Sequence, residues 1–407
     1  MSSTVPQSLS CLLGVAVRIA QRMGIHSEST LTKCNVLEAE MRRRLWWSLV
    51  LFDNRIGEIA GFRNAPLDPT WDCKIPLNVN DSDLWQEMKG PPAVQGRPTE
   101  ALFIAVRSEL GELIRHSTFH LHFTNPALKL VAKHHQDVSV SDSVGLAKLE
   151  QTIEEQYLES CDEENPLHFV TIWVMRGQFA KYHLLEHYSR CSDPLVRRTE
   201  EQHDIATSHA LRILECDTKI TSSPLTKGFR WLNRLHFPLP AYMQITQDLR
   251  RRPFNKQARL AWEVMSDNYE PWLHSFSDDF NPFLQIFNQI ILYAWEAYEA
   301  AYANERELLA QPRIVSSIKH ASPQTAQHTS NTETEQQHTT MGMETDNFSM
   351  PTNFFNGSPM PNMGMLDAST VVRPDIYSGT PGQAPLDVHT NSWDWNIFYG
   401  QPGWGNY

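Results

Sequence analysis

The stretch NVLEAEMRRRLWWSLVLFDNRIGEIAG, from Asn35 to Gly61, decides the fold. Asn35 is a helix-capping residue, and Glu38, three positions on, can answer it as in a capping box. Leu37, Met41, Leu45, Ser48, Leu49, Phe52, Ile56 and Ile59 recur at three- and four-residue steps, which marks one face of an α-helix. Trp46, Trp47, Val50 and Leu51 fall on its other sides, at about 100° per residue. A helix apolar on nearly all sides is expected to be enclosed by other elements. Gly61, without a Cβ, can turn the chain out at its end.

The neighbouring stretches extend the helical reading. Upstream, Leu9, Leu12, Leu13, Ala16, Ile19, Ala20 and Met23 form a stripe that stops near Gly24. The short polar linker from Ile25 to Cys34 makes the two helices neighbours in space. Downstream, Pro66, Pro69 and Pro76 forbid a helix, yet Trp71, Ile75, Leu77, Val79, Leu84 and Trp85 are apolar enough to pin this extended segment against the helices. Helical patterns resume at Thr99 and continue around residues 146–161, 167–184, 200–220, 239–251, 256–269 and 282–309. Convincing strand alternation is absent, so the sequence predicts an all-α domain over residues 1–310.

From residue 311 the composition shifts to Ser, Thr, Gln, Asn, Pro, Gly and Met. Such a segment buries too little apolar surface to offset ordering entropy, and residues 311–407 are expected to be disordered. This tail carries three basic residues against eight acids. Its end, NSWDWNIFYGQPGWGNY, sets Trp393, Trp395 and Phe398 beside Asp394. Acids keep aromatic side chains solvated and available to a partner groove, the composition of an activation segment that would contact coactivators or the transcription machinery.

The whole chain of 407 residues has a net charge of −12, which argues against a surface built mainly to hold a phosphate backbone. No apolar run spans a membrane; the best candidate, Phe283–Tyr298, is broken by Gln285, Asn288, Gln289 and Glu296. The run Leu9–Val17 lacks the basic flank of a signal peptide. Cys11, Cys34, Cys73, Cys161, Cys191 and Cys216 lie 23 to 88 residues apart, too scattered for a zinc cluster, and read as buried thiols. The pairs His116/His120 and His183/His187 have i, i+4 spacing but lack the glutamate of an H-E-x-x-H site. Phosphate-loop, dinucleotide-binding and nucleophile-elbow motifs are missing, and Glu154/Glu155 and Glu163/Glu164 read as solvated acids. The expectation is a protein without catalytic residues, resident metal or cofactor.

Arg42, Arg43 and Arg44 could hold phosphate, but three consecutive helical residues fan across roughly 200° and cannot form one basic face. Pairing with acids such as Asp53, Asp81 or Asp83 is the simpler reading. Arg250, Arg251 and Arg252 sit at a helix C-terminus, where cations suit the dipole. Trp46, Trp47, Trp173, Trp231, Trp262 and Trp295 lie in helical patterns and read as core, although a cavity among such helices could admit a small molecule.

Three blocks, LLGVAVRIAQRMGIHSES (Leu12–Ser29), EAEMRRRLWWSLVLFDNRIGEIAG (Glu38–Gly61) and IPLNVNDSDL (Ile75–Leu84), together resemble the fungal-specific transcription factor domain, the helical middle homology region of binuclear zinc-cluster regulators. Arg42, Arg43, Arg44, Trp46, Trp47, Asp53 and Gly61 carry the most specific part of the resemblance. Weaker similarity continues through Lys227–Phe237, Ala261-Trp262 and Ala294–Glu296. The resemblance implies a nuclear transcriptional regulator, plausibly of a metabolic or secondary-metabolite gene cluster. Members carry an N-terminal six-cysteine cluster with two zincs and often a dimerising coiled coil; neither is in this sequence. Members usually have several helices before the first block, so the resemblance leads to the expectation that the helical part is N-terminally incomplete, that DNA binding is indirect or belongs to a missing module, and that zinc belongs only with that module. The alternative is an interaction or dimerisation module, forming a homo- or heterodimer, that modulates a complete zinc-cluster factor without DNA contact of its own.

Overall fold

In the computed structural model, residues 6–60, 71–93, 96–115, 117, 139–191, 199–233, 235–273, 282–303 and 309–321 are described. Among them are twelve α-helices and no strand, as the periodicities predict. In chain order these are α1 (Pro6–Arg22), α2 (Glu28–Leu31), α3 (Val36–Ala60), α4 (Leu102–Arg115), α5 (Ser139–Gln156), α6 (Pro166–Arg190), α7 (Glu200–Ser222), α8 (Arg230–Asn233), α9 (Leu239–Arg251), α10 (Ala258–Leu273), α11 (Pro282–Tyr302) and α12 (Arg313–Ala321). Gly61, His116, His120 and the tail residues Trp393, Asp394, Trp395 and Phe398 lie outside the described residues.

Helix α3 starts where the sequence places it. The Asn35 side chain accepts the Glu38 N–H at 2.8 Å, whereas the Glu38 carboxylate turns to Arg42 at 2.6 Å. Its burial differs from the expectation. Ala39, Trp46, Trp47, Val50 and Ile56 are buried, while Met41, Leu45, Ser48 and Phe52 face solvent. The apolar side defined by Met41, Leu45 and Phe52 is thus the outer one, and α3 is not enclosed all round. The same holds for α1, which buries Leu13, Val17 and Ala20 against α3 and exposes Leu12, Ile19 and Met23. Apolar content alone does not say which side meets a neighbour, and here the tryptophans choose it: they carry the largest area to remove from water.

Between α1 and α3 the chain turns at Gly24, whose φ of 70° and a Thr30 side chain 2.8 Å from any added Cβ both require glycine. The linker is more than polar: Ile25 and Leu31 are buried in the core formed with Trp46, Trp47 and Trp71. Residues 71–80 run without helix, in keeping with Pro76, and Trp71, Cys73, Val79 and Leu84 are buried, whereas Trp85 is exposed.

Two further cores follow. Helices α4, α5 and α6 meet around Leu102, Val106, Ile153, Met175 and Phe179. Helices α7 and α9 to α12 meet around Tyr242, Trp262, Tyr269, Phe287 and Trp295. Helix α12 buries Ile314, Val315 and Ile318 there, so ordered helical structure runs past residue 310, where the composition changes. Arg313 fastens its start to Asp267 and Glu270. Of the six helical tryptophans, Trp46, Trp47, Trp262 and Trp295 are core, as expected. Trp231 instead lies on the surface, 70% exposed, and Trp173 is half-buried beneath Arg176, Arg212 and Lys219.

Candidate functional site

The three sequence blocks meet at a charged brace on α3. Arg43 donates two parallel hydrogen bonds to the Glu28 carboxylate, both 2.8 Å. The fork geometry of a guanidinium suits this bidentate pairing. Glu28 in turn accepts the backbone N–H of Lys74 at 3.0 Å, while its own N–H goes to Asp72 at 2.8 Å. One helix later, the fully buried Glu40 accepts Arg44 Nε at 3.2 Å and the Leu77 N–H at 3.0 Å. Arg44 then reaches Asp81 at 2.6 Å. The first block therefore supplies Glu28, the second Glu40, Arg43 and Arg44, and the third Leu77 and Asp81.

Electrostatics differ between the two carboxylates. The Arg43 hydrogen bonds hold Glu28 below its ordinary value against the penalty of burial. Burial outweighs the Leu77 and Arg44 contacts at Glu40 and raises it. Asp53, anticipated as an arginine partner, has none among the described residues; burial alone pushes it up to about 6. Asp83 turns to Asn80 as a local cap. Above the brace, Trp46 and Trp47 each meet Trp71 edge-on, at centroid distances of 5.6 and 5.3 Å. Trp47 Nε1 donates to the Lys74 carbonyl at 2.9 Å, and the Arg115 guanidinium lies 3.8 Å over the Trp71 ring.

Within the second arginine triple, Arg252 is committed to carboxylates, beyond what the helix dipole requires. Arg252 binds Asp248 of α9 and reaches Glu200 at 2.7 Å and Asp204 at 2.9 Å on α7, and Arg250 lies over Tyr293. His183 stands 2.7 Å from Glu150 and 3.6 Å from Glu186, and stacks on His209. Burial disfavours its charge, but the two carboxylates outweigh it and raise His183 to about 9.

One group of buried charges escaped the sequence reading. Beyond the brace, α3 contributes Arg55 and Glu58, α4 contributes Arg107, α6 contributes Lys181, and the turn before α9 contributes His236. Glu58 accepts Lys181 Nζ at 2.6 Å and Arg55 at 2.9 Å. These residues border two adjoining cavities, of about 80 and 40 Å³. They are spread over some 180 positions, so no local spacing could have assembled them.

A sequence profile described as the fungal specific transcription factor domain matches residues 1–96, the segment that holds the whole brace. The chain is 53% identical over 319 residues to the transcriptional regulator AacuB of Aspergillus aculeatus, covering 78% of this chain and 43% of the relative. It is 40% identical over 414 residues to the transcriptional regulator nsrM of Aspergillus novofumigatus, covering 98% of this chain and 55% of the relative. It is 30% identical over 301 residues to the aurofusarin cluster transcription factor aurR2 of Gibberella zeae, covering 70% and 42%. The chain thus spans about half the length of the curated relatives it matches. No solved structure matches it significantly.

Proposed function

From the membership of residues 1–96 in the fungal specific transcription factor domain family, we propose that the chain is a transcriptional regulator acting in the nucleus on a secondary-metabolite gene cluster. The observation that carries this reading is similarity over 70% to 98% of the chain to named regulators, one of them a cluster factor. Its role is regulatory, not catalytic. The helical part supplies a braced scaffold, and the aromatic–acidic end, Trp393, Asp394, Trp395 and Phe398, supplies contacts to coactivators or the transcription machinery. The test is to fuse residues 322–407 to a foreign DNA-binding domain upstream of a reporter. Expression that falls when Trp393 and Trp395 are both changed to alanine is the expected result; a silent fusion counts against the activation role.

A second reading is favoured by the acid surplus of the chain. In it the protein carries no DNA contact of its own and pairs with a complete zinc-cluster factor, in which zinc would reside. Co-purification with such a factor, together with absence of a specific gel shift by the chain alone, would select this reading over the first.

A further inference from the structure

The larger cavity, between α6, α7 and the turn at His236, has an unusual balance of charge. Three permanent cations, Arg55, Arg107 and Lys181, line it together with one carboxylate, Asp217, and Glu58 lines the smaller cavity, which shares those three cations. Glu58 is shared by Arg55 and Lys181. Asp217 is occupied by the Trp272 Nε1–H and the Asn268 amide, both at 2.8 Å. Arg107 is left over. Its guanidinium stacks at 4.9 Å on Phe103 and has no hydrogen bond or ion pair among the described residues. Burial pulls it down to about 10, so it stays charged at neutral pH. His236, pushed well down by burial and by these three cations, adds no further positive charge. Arg107 is partly buried and has no carboxylate on its guanidinium among the described residues, so an anion entering the cavity would find an unoccupied fork of donors.

Apart from the Gln178 amide, the remaining wall is largely apolar, with Trp173, Val174, Ile213 and Phe237. At about 80 Å³ the space is several times the ~10–15 Å³ that one water needs, and it opens to solvent, so a small organic anion can enter. We propose that this cavity binds a small aliphatic carboxylate, its oxygens on the Arg107 fork and its alkyl body on Trp173, Val174 and Ile213. The assignment stands independently of the regulatory reading, because binding is measured without DNA or transcription.

The experiment uses the full chain and three probes at matched ionic strength: butyrate, its neutral analogue butyramide, and inorganic phosphate. A ligand that binds only the folded state raises the melting midpoint. Butyrate is expected to raise it by about 2 °C or more at tenfold excess over its Kd, with little change from the other two. Arg107→Met should remove the butyrate response and melt close to the wild-type temperature, since no hydrogen bond or ion pair goes with it; an arginine with a purely structural role would lower it. Val174→Phe fills the cavity without touching a charge and should also remove the response, which keeps the test decisive should Arg107→Met not fold. An equal shift with butyramide or phosphate, or a butyrate shift that survives Val174→Phe, would overturn the assignment.

Discussion

Arg43 and Glu28 show how a motif residue acts through its partner. Both side chains are largely buried, so deleting the arginine leaves Glu28 without its counter-ion and Glu40 with one fewer cation nearby. Breaking a buried pair from one side costs about 3–5 kcal/mol, several times the worth of a surface bridge. Arg43→Ala is therefore expected to lose that much in chemical denaturation, and Glu28→Gln in the same background should add little, because the pair is already broken. A loss below about 1 kcal/mol for Arg43→Ala would show that the brace is dispensable. His183 carries a pH-dependent contribution of opposite character. Its folded value, near 9, stands above the ordinary 6.5. The stabilisation is thus complete below about pH 6.5 and is lost as pH rises through 9. Glu150 is partly solvated, which reduces the effect to roughly 1–2 kcal/mol. Melting curves of wild type and His183→Gln should converge between pH 7 and 9.5; parallel curves would contradict the assignment.

Helix α3 places two adjacent large residues in opposite environments, and this gives an element-scale test. Trp46 is fully buried and Leu45 is exposed. Trp46→Ala should cost about 3–5 kcal/mol, while Leu45→Glu should stay within about 0.5. Urea titrations of the two variants would decide; a large loss for Leu45→Glu would mean that the outer face is covered in solution. The sequence could show that α3 exists and where it starts, because Asn35 and the three- and four-residue steps are local signals. It could not orient the helix, since Met41, Leu45 and Phe52 score as apolar as Trp46 and Val50, and the choice depends on Trp71, whose approach is set by residues after the prolines. The same limit applies to the brace. The pairing of Arg44 with Asp81 is foreseeable from charge, but Glu28 lies in a short polar linker and Glu40 near the charged start of α3, and neither position signals a buried acceptor. Arg55, Arg107, Lys181 and His236 converge only through helix packing. In α12, Ile314, Val315 and Ile318 were masked by a polar-rich composition averaged over a much longer segment.

At the scale of the whole molecule, four of the six arginines in the two triples are already committed to carboxylates. Arg42 pairs with Glu38, Arg43 with Glu28, Arg44 with Glu40 and Asp81, and Arg252 with Asp248, Glu200 and Asp204. Duplex binding requires cations that can exchange counter-ions at phosphates, and each such contact steepens the salt dependence. With these side chains occupied and a net charge of −12, the chain by itself is expected to bind duplex DNA no more tightly than about 10⁻⁴ M at physiological salt, within the nonspecific range. Fluorescence anisotropy on promoter fragments, run as a salt series, measures this directly. Arg44→Ala should lower the melting temperature in the same preparation and leave the anisotropy unchanged, because its loss is felt by Glu40 and Asp81 and not by phosphate. Sub-micromolar, salt-dependent binding that Arg44→Ala weakens in a stably folded protein would reverse the assignment and make the triple an interface. Unchanged anisotropy with a lowered melting temperature would leave it a brace, with DNA recognition assigned to a partner or to another module.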